Sequence, residues 1–114
     1  MEQDIFCNIA SGSIPTKKLF EDRELLAFPD INPQAPVHIL IIPKKHYTSL
    51  NDLKEKNKGL LGHMLLVASR LAKEHGIAFT GYRIAINCGQ QGGQVVPHLH
   101  MHLLGGRQLN GELG

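Results

Sequence analysis

In the run Pro97-His98-Leu99-His100-Met101-His102-Leu103-Leu104 two kinds of side chain alternate without a break. A period of two belongs to a β-strand, whose successive side chains point to opposite faces of the sheet. Leu99, Met101 and Leu103 then fall on one face, where their use as core is plain. His98, His100 and His102 fall on the other. Imidazole is a poor covering for a sheet, because it must be hydrogen-bonded when buried and it titrates near neutrality. A single histidine here reads as a satisfied core residue. Three at strand period read as a chemical site.

Two chemistries suit three aligned imidazoles. A metal site needs a third or fourth ligand and carboxylates that orient the rings. The ten residues before the triad offer only Cys88. The alternative is nucleophilic and acid–base chemistry, in which a neutral ring attacks while its neighbours hold its tautomer or act on a leaving group. The loop Cys88-Gly89-Gln90-Gln91-Gly92-Gly93-Gln94 stands between the triad and the apolar run Tyr82-Arg83-Ile84-Ala85-Ile86. Glycines let backbone N–H groups converge on an anion and let it approach closely. A plain hairpin loop would also use glycine. Next to the triad, the loop reads as a phosphate cradle beside a nucleophile.

The rest of the chain supports one mixed domain over residues 1–114. Asp4 to Ala10 has the pattern of a short helix ended by Gly12. Thr16 to Glu21 and Leu25 to Phe28 form a hairpin around the charged turn 21–24. Pro29 to Pro36, with three prolines, is an ordered loop. Val37 to Ile42 is a continuous apolar strand stopped by Pro43. Apolar residues at 60, 61, 64, 65, 68, 71 and 72 recur at helical period, so a long helix is expected from about Asn57 to His75, with Gly76 as its C-terminal cap. Gly81 to Cys88 and Pro97 to Leu104 are the last two strands. The expected fold is α+β, a mainly antiparallel sheet of about five strands with one long and one short helix.

Composition excludes several classes. A net charge of +2, with no basic run among aromatic residues, falls short of a dedicated nucleic-acid binder. No apolar stretch has the length of a membrane span. Met1-Glu2-Gln3-Asp4 lacks the basic and apolar regions of a secretory signal. Cys7 and Cys88, far apart in sequence, read as reduced thiols of a cytoplasmic protein.

Three stretches carry a family resemblance. The run from Asn87 through the triad to Leu104-Gly105-Gly106-Arg107 resembles the signature of the histidine-triad (HIT) nucleotide-binding proteins, and its ending is similar to the Hint branch. Phe28-Pro29-Asp30-Ile31-Asn32-Pro33-Gln34-Ala35-Pro36-Val37-His38 resembles a second element of that family. Ile5-Phe6 with Ile14-Pro15 resembles a third. The resemblance implies the HIT fold, with the sheet continued across a homodimer. It also implies hydrolysis of the P–N bond of purine nucleoside phosphoramidates, releasing AMP or GMP. Dinucleoside polyphosphate hydrolysis and a regulatory nucleotide-binding role are the alternatives.

The residue roles follow from the same resemblance. His100 matches the nucleophile that is transiently nucleotidylated. His102 matches the residue beside the leaving group and the phosphate oxygens, and His98 and His38 match histidines that support the nucleophile's ring. Asp30 matches the carboxylate that accepts from both ribose hydroxyls. Phe6, Ile14, Phe28, Ile31 and Leu40 match the slot around the base, while Asn87, Gly93, Gln94 and Val95 match the phosphate contacts. Val95 departs from the pattern, since it has no side-chain hydroxyl to offer. Some bacterial relatives bind a structural zinc through two N-terminal cysteines and histidines matching His46 and His98. Here Asp4 stands where the first cysteine would be, and the expectation is a protein with neither cofactor nor catalytic metal. His63 and His75 read as surface or end-of-helix residues. The tail 108–114 lacks the aromatic residue of animal relatives, so their leaving-group preference does not carry over.

Overall fold

A computed structural model describes residues 4–112. Met1 to Gln3, part of the start read as lacking a signal, and Leu113 and Gly114 of the tail lie outside the described residues. The fold is α+β. Five antiparallel strands, β1 (Phe20–Glu21), β2 (Leu25–Pro29), β3 (Val37–Pro43), β4 (Tyr82–Ala85) and β5 (Met101–Gly105), lie in the order β1-β2-β3-β5-β4. The short helix α1 (Ile5–Ala10) precedes them, and the long helix α2 (Lys58–Glu74) joins β3 to β4.

Strand parity sorts the core into two layers. Leu25, Ala27, Ile39, Ile41, Met101 and Leu103 face α2 and pack on Met64, Val67, Ala68, Leu71 and Ala72. Leu26, Phe28, Leu40 and Ile42 face the other way and pack on Phe6 and Ile9 of α1. Thus β3 is apolar throughout because both of its faces are covered. Its one break in that pattern is His38, which shares the parity of Leu40 and points to the α1 side.

Local chemistry explains the helix ends. Asp4 caps α1, its Oδ1 accepting from the Cys7 N–H at 2.7 Å. At the end of α2, Gly76 adopts φ +74°, the Gly76 N–H donates to Lys73 O, and the Ile77 N–H donates to Ala72 O. That pair of bonds is a Schellman cap, and its usual apolar contact is made by the buried Ile77.

Three strands are shorter than their patterns suggest. β1 is two residues long, although the Leu19 N–H still donates to Ala27 O. β4 ends at Ala85, because the glycine loop begins to fold on itself at Asn87. β5 begins at Met101, four residues after the expected start. The β3–β5 register runs to Ile41 opposite Met101, and continuing it would set Pro43 against Leu99. Proline has no N–H for a ladder, and Pro43 O accepts instead from the His98 ring. The alternation survives without the ladder: Leu99 lies in the α2 layer, while Phe6 of α1 meets the rings of His98 and His100.

Candidate functional site

On the α1 side of the sheet lies a cavity of about 530 Å³. Phe6 and Ile9 of α1 form one wall, and Ile14, Phe28, Ile31, Leu40, Val95 and Val96 continue the apolar surface. Polar groups gather at the other end, where Asp30, His38, Asn87, Gly93, His100 and His102 line the cavity. Of the residues expected at a nucleotide site, the structure brings all to this cavity except His98 and Gln94. Ile9, Thr16, Gln34 and Val96 line it without having been singled out in the sequence. Ile9 had a legible signal, since it lies one helical turn from Phe6 on the same short helix.

The glycine loop is held by its own side chains. Asn87 Nδ2 donates to Gly92 O at 2.8 Å. Gln94 Nε2 donates to Thr48 O and Val96 O, and Gln94 Oε1 accepts from the Gly89 N–H. Gln94, matched to a phosphate contact, therefore acts here as a staple that fixes the loop. Gly92 is required by space, since an added Cβ would lie 2.3 Å from Cys88 O.

Hydrogen-bond partners assign the tautomers. His100 Nδ1 lies 2.7 Å from His98 O. A carbonyl only accepts, so Nδ1 carries the proton and, on the neutral ring, Nε2 carries the lone pair. The Gln34 N–H donates to His38 Nδ1 at 3.0 Å, so that nitrogen is the bare one. Burial pushes the His38 pKa down against the opposing pull of Asp30, and the neutral ring must hold its proton on Nε2. His102 Nδ1 lies 2.9 Å from that nitrogen, closer than Asp30 Oδ2 at 3.4 Å, and takes the bond. Burial, with His100 and His38 adding to it, lowers the His102 pKa to about 4. The neutral His102 therefore keeps its proton on Nε2. The chain Gln34, His38, His102 ends in a fixed N–H donor.

His38 thus orients His102, and it does not support the ring of His100 as its family match suggested. His98 supports His100 through its backbone carbonyl while its own ring is fully buried elsewhere. Asp30 is both a turn residue and part of the cavity lining. Its Oδ1 accepts from the Asn32 N–H at 2.8 Å, forming a turn, and the carboxylate still lines the cavity. His63 meets Asp22 at 2.6 Å across the β1–β2 turn, a more specific contact than a surface histidine makes. His75 Nδ1 bonds Leu71 O at the end of α2, as a helix-end histidine would.

A second cluster lies outside the cavity, behind Phe6. Cys7 Sγ is 3.3 Å from His46 Nδ1 and 3.4 Å from His98 Nδ1. Asp4 Oδ1 is 3.2 Å from His98 Nδ1, and Asp4 Oδ2 is 3.2 Å from His46 Nδ1. His98 Nε2 donates to Pro43 O at 3.0 Å, so on a neutral ring Nδ1 presents a lone pair toward the carboxylate. Burial also pushes the His98 pKa down and the Cys7 pKa up. Asp4 Oδ2 is buried and has no hydrogen bond, since its approach to His46 Nδ1 lacks the geometry of one. The four ligand atoms lie within 4.8 Å of one another around a buried carboxylate oxygen that has no hydrogen bond, and a donor set of this kind fits a cation. Tetrahedral Zn²⁺ with these ligand types has edges of about 3.3–3.6 Å, close to the separations seen. Asp30, His38 and His102 also lie within 4.8 Å of one another. That set fits a metal poorly, because the nitrogen of His38 that faces it holds the proton.

The fold and the cavity define a class, an α+β protein whose histidines meet a glycine loop on the sheet face opposite its long helix. Residues 11–109 match the family model of the HIT domain. The chain belongs to the HIT family. An uncharacterized HIT-like protein of Buchnera aphidicola subsp. Baizongia pistaciae is 50% identical over 110 residues, which is 96% of this chain and 98% of that protein. The crystal structure of a HIT family hydrolase from Legionella pneumophila Philadelphia 1 superposes with a TM-score of 0.96 at 48% identity, covering 98% of this chain and 100% of that one. A histidine triad protein from Clostridium difficile superposes with a TM-score of 0.93 at 49% identity, covering 98% and 99%.

Proposed function

We propose that this chain is a nucleotide-binding hydrolase of the Hint branch that cleaves the P–N bond of purine nucleoside phosphoramidates. The observation that carries the reading is the tautomer of His100. Its Nδ1 proton is held by His98 O, and its Nε2 lone pair belongs to a cavity lined by an apolar slot and, with the other polar groups, by Asp30. A cavity of this size and mixed lining suits a mononucleotide. The names of the Legionella and Clostridium proteins accord with hydrolysis by a histidine triad.

In this mechanism the base enters the slot formed by Phe6, Ile14, Phe28, Ile31 and Leu40, and Asp30 accepts from the ribose diol. The phosphate lies between the glycine loop and His102. His100 Nε2 attacks the α-phosphorus, the P–N bond breaks, and the amine departs with the electron pair and takes a proton from solvent. The His102 N–H donates to the phosphoryl oxygens as their charge develops. Water then attacks the nucleotidyl-His100, and AMP or GMP leaves with His100 restored. A divalent cation on Asp4, Cys7, His46 and His98 would supply a structural cross-link.

The chain reads as a single HIT domain acting as a cytoplasmic homodimer. β4 is the last strand of the sheet, with Tyr82 and the nearby Phe79 exposed, and an edge of that kind suits pairing with a second copy. Among the described residues no helix is long and apolar enough to cross a membrane.

A fluorogenic adenosine phosphoramidate given to the purified protein tests the reading, together with mass spectrometry for a nucleotidyl adduct on His100. Turnover with the adduct is expected. Cleavage of a dinucleoside polyphosphate without cleavage of the phosphoramidate would move the activity to the polyphosphate class. AMP binding without turnover of either would make this a binding protein.

A further inference from the structure

The hydrogen bonds that orient His102 form a circuit that leaves β5 and returns to it. His102 Nδ1 accepts from His38 Nε2 on β3, and His38 Nδ1 accepts from the Gln34 N–H in the loop before that strand. The Gln34 carbonyl oxygen accepts in turn from Arg107 Nη2 at 2.9 Å, and Arg107 follows directly on the end of β5. The pairing of Gly105 with Val37 and the close approach of Gly106 to Pro36 bring that strand end against the loop. Arg107 Nη1 donates to Gln108 O at 3.1 Å, which holds the guanidinium by its other amino group. Gln34 Nε2 bonds Asn32 O within the loop itself, whereas Arg107 fastens Gln34 to the strand that carries His102. Arg107 is exposed and stands outside the cavity lining, so it acts on the site only through this circuit.

Two neutral rings can share one hydrogen bond in two ways. In the first form His38 Nε2 donates to His102 Nδ1, and His102 keeps an N–H at Nε2. In the second, one proton crosses the shared bond, His38 takes a proton at Nδ1, and His102 gives one up at Nε2. The second form would turn a lone pair of His102 toward the developing charge of a phosphoryl group, where a donor is needed. It would also set a His38 Nδ1–H against the Gln34 N–H, donor against donor, across the 3.0 Å that now holds a bond. We propose that Arg107 is a positioning residue that, by holding the Gln34 backbone in place, selects the tautomer in which His102 presents an N–H to the cavity. The consequence for turnover rests on the reading of the cavity as a phosphoramidase site; the choice of tautomer does not. Asp30 Oδ2, 3.4 Å from His38 Nε2, favours the first form from the other end. Releasing Gln34 therefore brings the two forms toward balance without inverting them.

The test uses the full chain, isotope-labelled in its histidine nitrogens, and reads the tautomer of each ring by NMR at neutral pH. In the native chain His38 and His102 are expected as Nε2–H and His100 as Nδ1–H. Arg107→Met removes the donor from an exposed position, where the melting temperature should change little. It is expected to bring the Nδ1–H form of His38 and His102 to about half the population, and to lower kcat/KM for an adenosine phosphoramidate about twofold. His100 should keep its tautomer, because its Nδ1 is bonded to His98 O and lies outside the circuit. Arg107→Lys keeps a charged donor and is expected to restore most of the native tautomer and rate. Unchanged His38 and His102 tautomers in Arg107→Met overturn the proposal. So does an equal change at His100, which would mark a general loosening of the site. A shift of tautomer that leaves kcat/KM unchanged overturns the link to turnover. If the native chain cleaves no phosphoramidate, the hydrolase reading fails, and the tautomer shift alone supports the positioning role.

Discussion

His100 Nδ1 and the carbonyl oxygen of His98 lie 2.7 Å apart, so a backbone group two residues away fixes which nitrogen of His100 can attack. The contact sets the His100 ring on the backbone of His98, whose own ring is anchored on Pro43 O. His100→Ala is expected to abolish turnover while AMP binding stays within about tenfold, or about 1.4 kcal/mol. Asp30, the apolar slot and the loop supply ground-state contacts, whereas His100 acts as bonds change. Calorimetry with AMP on the variant checks this, and loss of binding by a folded variant would make His100 an anchor.

Asp30 uses one oxygen in its own turn, so its removal would mix two effects. Asp30→Asn retains an acceptor for the Asn32 N–H and isolates the loss of the charged acceptor for the diol. AMP affinity is expected to fall by about 1–3 kcal/mol with little change in melting temperature. The same penalty is expected from a 2′,3′-dideoxy nucleotide on the native protein, and the two together should add little. Simple summation would show that the ribose is read by other residues.

The depressed pKa of His102 makes stability depend on pH in a definite direction. The unfolded chain takes up a proton near pH 6.5, whereas folded His102 resists protonation until about 4. Between those values the unfolded state binds more protons, so stability falls as pH falls through this window and is unaffected above it. His38 and His98 are lowered too and act with the same sign. His102 is only partly buried, and after discounting for solvent its share by pH 4 is about 2 kcal/mol. Melting curves from pH 7 to 4.5 should show His102→Gln losing less stability than the native chain.

Gly105 and Gly106, part of the branch-like Leu-Gly-Gly-Arg ending, have a structural explanation that concerns no substrate. A Cβ on Gly105 would lie 2.7 Å from Ile77 Cδ1, and one on Gly106, at φ +93°, would lie 2.9 Å from Pro36 Cβ. Arg107 Nη2 then donates to Gln34 O at 2.9 Å, tying the strand end to the loop before His38. Gly106→Ala is expected to cost about 1–3 kcal/mol of stability. Its melting temperature should fall clearly, and an unchanged value would show that the loop yields to the methyl group.

These contacts show where sequence was informative and where it was silent. The alternation of Leu99, Met101 and Leu103 with the histidines predicted the two faces correctly, because face selection needs only extended backbone. It misplaced the start of β5, because the ladder depends on Pro43 of another strand. The helical period from Leu60 to Ala72, with Gly76 after it, located α2 to within a residue at each end. The partner of His38 was not legible, since it depends on the register that sets Leu40 opposite His102. The convergence of Asp4 and Cys7 on His98 was visible only as a family resemblance, for no local pattern brings residues so far apart in sequence to one point.

The last prediction separates the role of a cation from that of His100. In the proposed chemistry the nucleophile is the Nε2 lone pair of the His100 imidazole, and the developing phosphoryl charge meets the His102 N–H and the glycine loop. None of these groups belongs to the Asp4, Cys7, His46 and His98 set. Chelator treatment should therefore leave kcat and KM for the phosphoramidate nearly unchanged, and any metal lost from that set should show as a drop in thermal stability. Steady-state kinetics before stripping, after stripping and after zinc return resolve the two constants, with elemental analysis giving the ion content of each sample. A stripped enzyme that remains folded, is inactive even at saturation and recovers kcat on zinc return would place the metal in the chemical step and remove His100 as the nucleophile.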